Sequence, residues 1–203
     1  MKIELDNYCK LYSKCFDKKV LEQTISELNQ LDTIDKTLKD FNFVSPDAWE
    51  SHYWSDQSGK KYIKEDNTKE LESTAFVSSN TQLIMDTLYQ YILKYMTELN
   101  HPTFNAWAGY TKILFHRYKT GTCMLPHVDH IRTIFDGQTK GVPILSVVGQ
   151  LNDDFKGGEF IILKKKFKMK AGDILIFPSN FIFLHEVAEV TKGTRLSFIS
   201  WVY

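Results

Sequence analysis

Ala171-Gly172-Asp173-Ile174-Leu175-Ile176-Phe177-Pro178-Ser179-Asn180 reads as a short apolar strand held between two turns. The same grammar extends outward from it in both directions. Ala108–Tyr118, Pro143–Leu151, Glu159–Leu163, Asp173–Phe177, Phe181–Val187 and Arg195–Tyr203 are short segments rich in β-branched or aromatic residues. Between them stand Lys119-Thr120-Gly121, Asp136-Gly137, Asp153–Gly158 and Lys192-Gly193. Closely spaced strands without intervening helical patterns predict an antiparallel sandwich or barrel over residues 106–203, not a doubly wound parallel sheet.

Upstream the period changes. Leu21, Ile25, Leu28, Leu31 and Leu38 recur at helical spacing between Val20 and Phe41. A second helix is expected from Asn80 to Leu99, with Asn80 as its cap and Leu83, Ile84, Leu88, Tyr91, Ile92, Tyr95 and Leu99 on one face. Both read as support helices lying against a sheet. The segment from Phe41 to Ser79 is aromatic but irregular, with room for one or two short strands. The simplest organisation is one domain over 1–203, with a mainly helical support region (1–105) and a β core (106–203).

The chain has 203 residues, enough for one substantial core. Lys+Arg and Asp+Glu each total 25, so a formal net charge of zero offers no global attraction to nucleic acid or to anionic membranes. Cys9, Cys15 and Cys123 are too few and too irregular for a disulfide framework or a cysteine-based zinc site. With no apolar signal segment at Met1–Asp6 and no membrane-length run, the expected location is the cytoplasm.

Chemistry concentrates in three places. In a strand, His127 and Asp129 project to one face, and His185 can meet them from another strand. Two imidazoles and one carboxylate leave positions open on a non-haem iron(II) that activates dioxygen. Taken alone, a His-x-Asp triplet is more often a surface hydrogen bond than a ligand set. Arg195 alternates onto the same face as Ser197, and a guanidinium inside a barrel requires an anion. Its planar fork suits a carboxylate, from a bound ligand or from a structural Asp or Glu. His116 shares the strand face of Tyr118, where a core or hydrogen-bonding duty competes with lining a pocket. Lys164-Lys165-Lys166 reads as a solvated hairpin tip, with a basic substrate-docking patch as the alternative.

The order of these residues resembles the prolyl 4-hydroxylase-like 2-oxoglutarate oxygenases. Tyr118-Lys119-Thr120-Gly121 followed by His127-Val128-Asp129, Leu151-Asn152 through Gly157-Gly158-Glu159, the strand after Ala171, His185-Glu186-Val187 and Arg195-Leu196-Ser197 appear in the family's sequence. The resemblance covers about half the chain, from Lys112 to Tyr203. It implies a double-stranded β-helix, a jelly roll of two antiparallel sheets flanked by N-terminal helices. It also implies iron(II) on His127, Asp129 and His185, and 2-oxoglutarate on Arg195 with help from Ser197. Tyr118 would present its hydroxyl to the co-substrate or the iron shell, and ascorbate is a further cofactor of such enzymes. The implied reaction couples dioxygen and decarboxylation of 2-oxoglutarate to hydroxylation of a C–H bond, releasing succinate and carbon dioxide.

The sequence departs from the family at Gln150, where a tyrosine often contacts 2-oxoglutarate, and at Met124, where an aromatic is common. A peptide or protein residue such as proline is the leading substrate. Small molecules and nucleic-acid bases are alternatives, although Trp201 stands where alkylation-repair enzymes carry a second arginine. A non-catalytic metal- or ligand-binding barrel is the alternative of a different class. Ile131–Gly141, polar and with Gly137 and Gly141 as hinges, is expected to form a lid.

Overall fold

Alternation along the last strand sorts the whole interior. A computed structural model describes residues 4–40, 49–51, 71–100, 107–129 and 143–203, the side chains of 34–40 excepted. In chain order the elements are β1 (Lys10–Tyr12), α1 (Lys18–Asp40), β2 (Glu50–Ser51), β3 (Glu72–Thr74), α2 (Thr81–Leu99), β4 (Leu114–Lys119), β5 (Met124–His127) and β6 (Leu145–Gln150). They continue with β7 (Lys156–Gly157), β8 (Phe160–Ile162), β9 (Lys165–Phe167), β10 (Ile174–Pro178), β11 (His185–Val187), β12 (Val190–Lys192) and β13 (Thr194–Val202).

A seven-stranded sheet runs β1-β10-β6-β13-β4-β3-β2, and a four-stranded sheet runs β5-β11-β8-β9. A two-stranded ribbon, β12-β7, completes the antiparallel set. This is the double-stranded β-helix expected from the resemblance. The central strand β13 pairs with β4 on one side and β6 on the other, which places Arg195 opposite Tyr118 and Ser197 between His116 and Gln150.

Two apolar clusters lie on either side of the large sheet. Leu196, Phe198 and Val202 join Leu145, Val147, Ile174 and Ile176 beneath the helices. Ile199, Val148, Leu175 and Phe177 face the small sheet and meet Phe160, Ile162 and Val187. Period-two alternation therefore gives one strand two buried faces. Gly149 is required on the helix side, because a Cβ there would lie 1.9 Å from Cζ of Phe198.

The helices cover that side with Leu21, Leu28 and Leu31 from α1 and Ile84, Leu88, Ile92, Tyr95 and Met96 from α2. Each large apolar side chain so buried contributes roughly 1.5–3 kcal/mol before the cost of ordering it. Leu83, expected on the buried face, is 48 % exposed, and Met96 takes part instead. Asn80 occupies the cap position without a capping hydrogen bond. Its amide instead donates to Thr24 Oγ1 and the carbonyl of Val20, so it ties α2 to α1.

The N-terminal half also supplies strands. β1 forms one edge of the large sheet against β10, and β3 and β2 extend the other edge beyond β4. Arg117 on β4 is buried beneath this extension, pairs with Asp32 at 2.8 Å and Glu72 at 2.6 Å, and lies over the Trp49 ring. The expected strand Phe181–Val187 begins only at His185. Asn180 explains the delay: its side-chain oxygen accepts from the Ile182 amide at 3.0 Å and its carbonyl from the Phe183 amide at 3.1 Å, which forms a turn. No helix among the described residues is long and apolar enough to cross a membrane.

Candidate active site

β5 and β11 run antiparallel with His127 directly opposite His185. Their side chains enter the space between the sheets, with ring centroids 4.2 Å apart. Asp129 follows just past the end of β5 and is buried with them. Asp129 Oδ1 stands 3.6 Å from His127 Nε2 and 3.5 Å from His185 Nε2. One ligand atom from each residue falls within 4.8 Å of the others, a group that could hold one metal ion.

The outer atoms of these side chains are already engaged. His127 Nδ1 lies 2.8 Å from the carbonyl of Leu125, and His185 Nδ1 lies 3.0 Å from that of Phe183. A carbonyl can only accept, so each Nδ1 carries a proton and each Nε2 is turned towards the space a cation would take. Asp129 Oδ2 accepts from Ser146 Oγ at 2.6 Å, and Ser146 Oγ lies 2.8 Å from Ser179 Oγ. Phe160 stacks on the His185 ring and Phe177 meets it edge-on, which fixes its plane.

Electrostatics favour the metal-binding protonation states. Burial, reinforced by the neighbouring His185, lowers the pKa of His127 below its ordinary value, so the ring is neutral at physiological pH. Burial alone would raise the pKa of Asp129, but the interactions with His185 and Ser146 and the nearby His127 outweigh it and bring it down to about 2.

A narrow slot leads from the two imidazoles to Arg195, between Tyr118, Val148 and Ser197. Arg195 is 1 % exposed. Its Nη1 donates to Ser197 Oγ at 3.0 Å, whereas its Nη2 is buried without a hydrogen-bond partner. No carboxylate forms an ion pair with it among the described residues. Leaving a charged donor unsatisfied costs about 1–3 kcal/mol or more, so an anion arriving through the slot would relieve it. Tyr118 packs its ring 4.9 Å from the guanidinium carbon. Burial pushes the Tyr118 hydroxyl up to about 12 despite the pull of Arg195, and burial lowers the pKa of Arg195 itself.

Sequence reading brought Tyr118, His127, Asp129, His185, Arg195 and Ser197 together, and all six line or adjoin this one space. Two participants were missed. Ser146 and Ser179 hold the carboxylate, and nothing in their local sequence marks them. Asn152 accepts from the Leu196 amide and donates to the carbonyl of Thr194, clamping the backbone on both sides of Arg195. Gln150 uses its amide nitrogen on the carbonyls of Asn152 and Leu196, so its donors serve the backbone. His116 lines the slot beside Tyr118. His52, His101, His130 and the expected lid Ile131–Gly141 lie outside the described residues.

Two histidines and an aspartate thus converge at one end of a slot, with a buried arginine at the other, inside a jelly roll. The sequence profile of the 2OG-Fe(II) oxygenase superfamily matches residues 113–203. A PKHD-type hydroxylase of Idiomarina loihiensis is 31 % identical over 126 residues, covering 60 % of this chain and 52 % of that protein. The chain thus spans about half the length of curated relatives such as this one. Among solved structures, a Trichoplax adhaerens prolyl hydroxylase in complex with a hypoxia inducible factor oxygen degradation domain peptide fragment superposes with a TM-score of 0.63. Identity to it is 15 %, over 97 % of this chain and 84 % of that one. A Pseudomonas putida prolyl-4-hydroxylase gives a TM-score of 0.62 at 15 % identity, over 96 % and 91 % of the two chains. Residues 113–203 thus resemble the 2OG-Fe(II) oxygenase superfamily, and the fold is that of the solved prolyl hydroxylases.

Proposed function

We propose that this protein is an iron(II)- and 2-oxoglutarate-dependent dioxygenase that hydroxylates a C–H bond on a peptide or protein residue, with proline the first to test. The observation that carries the reading is a donor set at one end of a slot and an unsatisfied guanidinium nitrogen at the other. The Nε2 atoms of His127 and His185 and Oδ1 of Asp129 converge on one position, and the buried Nη2 of Arg195 lacks an acceptor.

His127, Asp129 and His185 would hold iron(II), the donor set being the nitrogen and oxygen mixture this ion accepts with open positions. Iron held there would supply the centre at which dioxygen oxidises 2-oxoglutarate and substrate, one oxygen atom going to the C–H bond and one into succinate as carbon dioxide leaves. Arg195 and Ser197 would bind the distal carboxylate of 2-oxoglutarate, one through its planar fork and one through a hydroxyl. Tyr118, its hydroxyl protonated across the neutral range, would donate a hydrogen bond to the same co-substrate. Phe160, Val148 and the Tyr118 ring exclude water from the slot.

Ascorbate would serve as the reductant that keeps the iron divalent. The β core and the N-terminal strands and helices that complete it are read as one catalytic unit. The three free thiols support a reducing cytoplasm as its place of action. The names of the PKHD-type and prolyl hydroxylase relatives support a hydroxylase acting on peptide.

The test is succinate formation from 2-oxoglutarate with iron(II), with and without proline-containing peptides. Wild type is expected to turn over, and His127→Ala and Asp129→Ala to lose turnover by orders of magnitude. Unchanged turnover in those variants would refute the metal assignment. Arg195→Ala is expected to weaken 2-oxoglutarate binding while sparing metal binding. Equal loss of both would make Arg195 a structural residue.

A further inference from the structure

Arg195 borders two spaces, and the imidazoles of His127 and His185 line the smaller. That slot has a volume of about 20 Å³, room for about one water. Arg195 also lines a cavity of about 220 Å³, together with Gln150, Phe155, Phe160, Phe167 and Met169. Phe160, like Arg195, belongs to both linings. Ser197 in the slot and Gln150 in the cavity are direct partners across β13 and β6, so the two spaces adjoin at this pair and at Arg195.

The side chains at this junction are fixed. Phe160 stacks on the His185 ring, and Arg195 is held by Ser197 Oγ at 3.0 Å and by the Tyr118 ring. Gln150 spends its amide nitrogen on the carbonyls of Asn152 and Leu196, at 2.9 and 3.1 Å, which holds it against the strands. The cavity is thus a standing feature of the fold. Phe160, Phe167 and Met169 make its buried part apolar. Lys168 and Lys170 on the lining are offset in formal charge by Asp153 and Glu159, Lys170 lying 3.7 Å from Asp153. Arg195 is left as the cation in excess, so the junction matches one carboxylate with room for methylene groups beside it.

A closed pocket discriminates against a ligand one methylene too long by about 10- to 200-fold. Here the wall is missing on the cavity side. We propose that the co-substrate pocket is open at Arg195, so that it binds 2-oxo diacids one and two methylenes longer than 2-oxoglutarate about as well as 2-oxoglutarate itself. The far carboxylate stays on Arg195, and the added methylenes bow into the cavity against Phe160, Phe167 and Met169. The proposal rests on the oxygenase reading above and specifies the range of its co-substrate. Chain length leaves the 2-oxo acid end unchanged, so the demand on the metal position is the same for each acid.

The experiment is calorimetric titration of the iron(II)-loaded protein, kept free of oxygen, with 2-oxoglutarate, 2-oxoadipate and 2-oxopimelate. Both longer acids are expected to bind within about threefold of 2-oxoglutarate, against the roughly 10- to 200-fold penalty of a closed pocket. Met169→Trp fills the cavity and should weaken 2-oxoadipate about tenfold more than 2-oxoglutarate. Phe155→Trp fills it from a half-buried position and should act in the same direction, which keeps the test decisive if thermal melts show Met169→Trp unfolded. In wild type, 2-oxoadipate binding about tenfold or more weaker than 2-oxoglutarate overturns the open pocket. So does a folded, filled variant that still binds the two acids alike. 2-Oxoglutarate binding with rejection of the longer acids keeps the oxygenase reading and removes only this inference. Failure of all three acids to bind defeats the co-substrate reading itself.

Discussion

Asp129 divides its two oxygens between different tasks. Oδ1 faces the imidazoles, and Oδ2 is held by Ser146, which is itself in contact with Ser179. A carboxylate fixed by one oxygen presents the other without searching rotamers, so the serine lowers the ordering cost of metal capture. Ser146→Ala is therefore expected to weaken binding of iron(II), or of cobalt(II) as its spectroscopic substitute, by about 10- to 100-fold. The 2-oxoglutarate end should be spared, since Arg195 and Ser197 sit at the other end of the slot. Cobalt(II) titration read by its absorption checks this, and an affinity equal to wild type would remove Ser146 from the site. The contrast with His127 and Asp129 is instructive about what sequence shows. Residues two apart in a strand announce a shared face, while Ser146 reaches Asp129 only because β6 and the end of β10 pass behind it.

At the scale of elements, the Gly157-Gly158 pair shows how a turn motif serves a site it does not touch chemically. Both glycines have positive φ, 74° and 65°. A Cβ on Gly157 would lie 2.1 Å from the carbonyl oxygen of Glu189, so the β7–β12 ribbon closes only on glycine. A Cβ on Gly158 would lie 3.1 Å from Cδ of Arg195. Gly158→Ala is expected to shift the guanidinium and weaken 2-oxoglutarate binding several-fold, with metal affinity kept and stability lowered by about 1–2 kcal/mol for the left-handed backbone. Gly157→Ala should cost more, about 2–4 kcal/mol, because backbone must move. Calorimetric titration with 2-oxoglutarate and thermal melts of the two variants distinguish these outcomes.

The same scale explains which elements were legible. The helices and the long strands of the β core carry clear periods, and their bounds fall within a few residues of those expected, except that the strand expected over Ala108–Tyr118 begins only at Leu114. β1, three residues long, carries no pattern of its own and exists because the edge of β10 offers unpaired backbone. Phe181–Leu184 failed in the opposite way: its apolarity was read as burial, and apolarity alone does not separate a core strand from an exposed turn. Leu83 misled for the same reason.

Over the whole molecule, the large sheet separates a helix-covered core from the inter-sheet core that contains the site, and tyrosines are buried in both. Tyr95 and Tyr12 lie beneath the helices, the first donating to the carbonyl of Tyr8 and the second to Glu98. Tyr118 lies between the sheets. Burial raises all three phenol pKa values, that of Tyr118 to about 12 from an ordinary value near 10. Below about pH 10 the phenol is neutral in folded and unfolded chains alike, and its stabilising contribution is fully present. As pH rises from 10 towards 12 the unfolded chain gains by ionising, whereas the folded chain still holds the proton. Stability is then lost, for Tyr118 alone by up to roughly 3 kcal/mol at two pKa units. Circular dichroism melts are expected to show a steep fall in midpoint between pH 9 and about 11.5, extending upward as Tyr12 and Tyr95 follow. Tyr118→Phe, which keeps the ring beside Arg195, should make that fall shallower while leaving the neutral-pH midpoint within a few degrees. A pH profile identical to wild type would mean that Tyr118 ionises as readily in the fold as in the unfolded chain, and that the slot admits water freely.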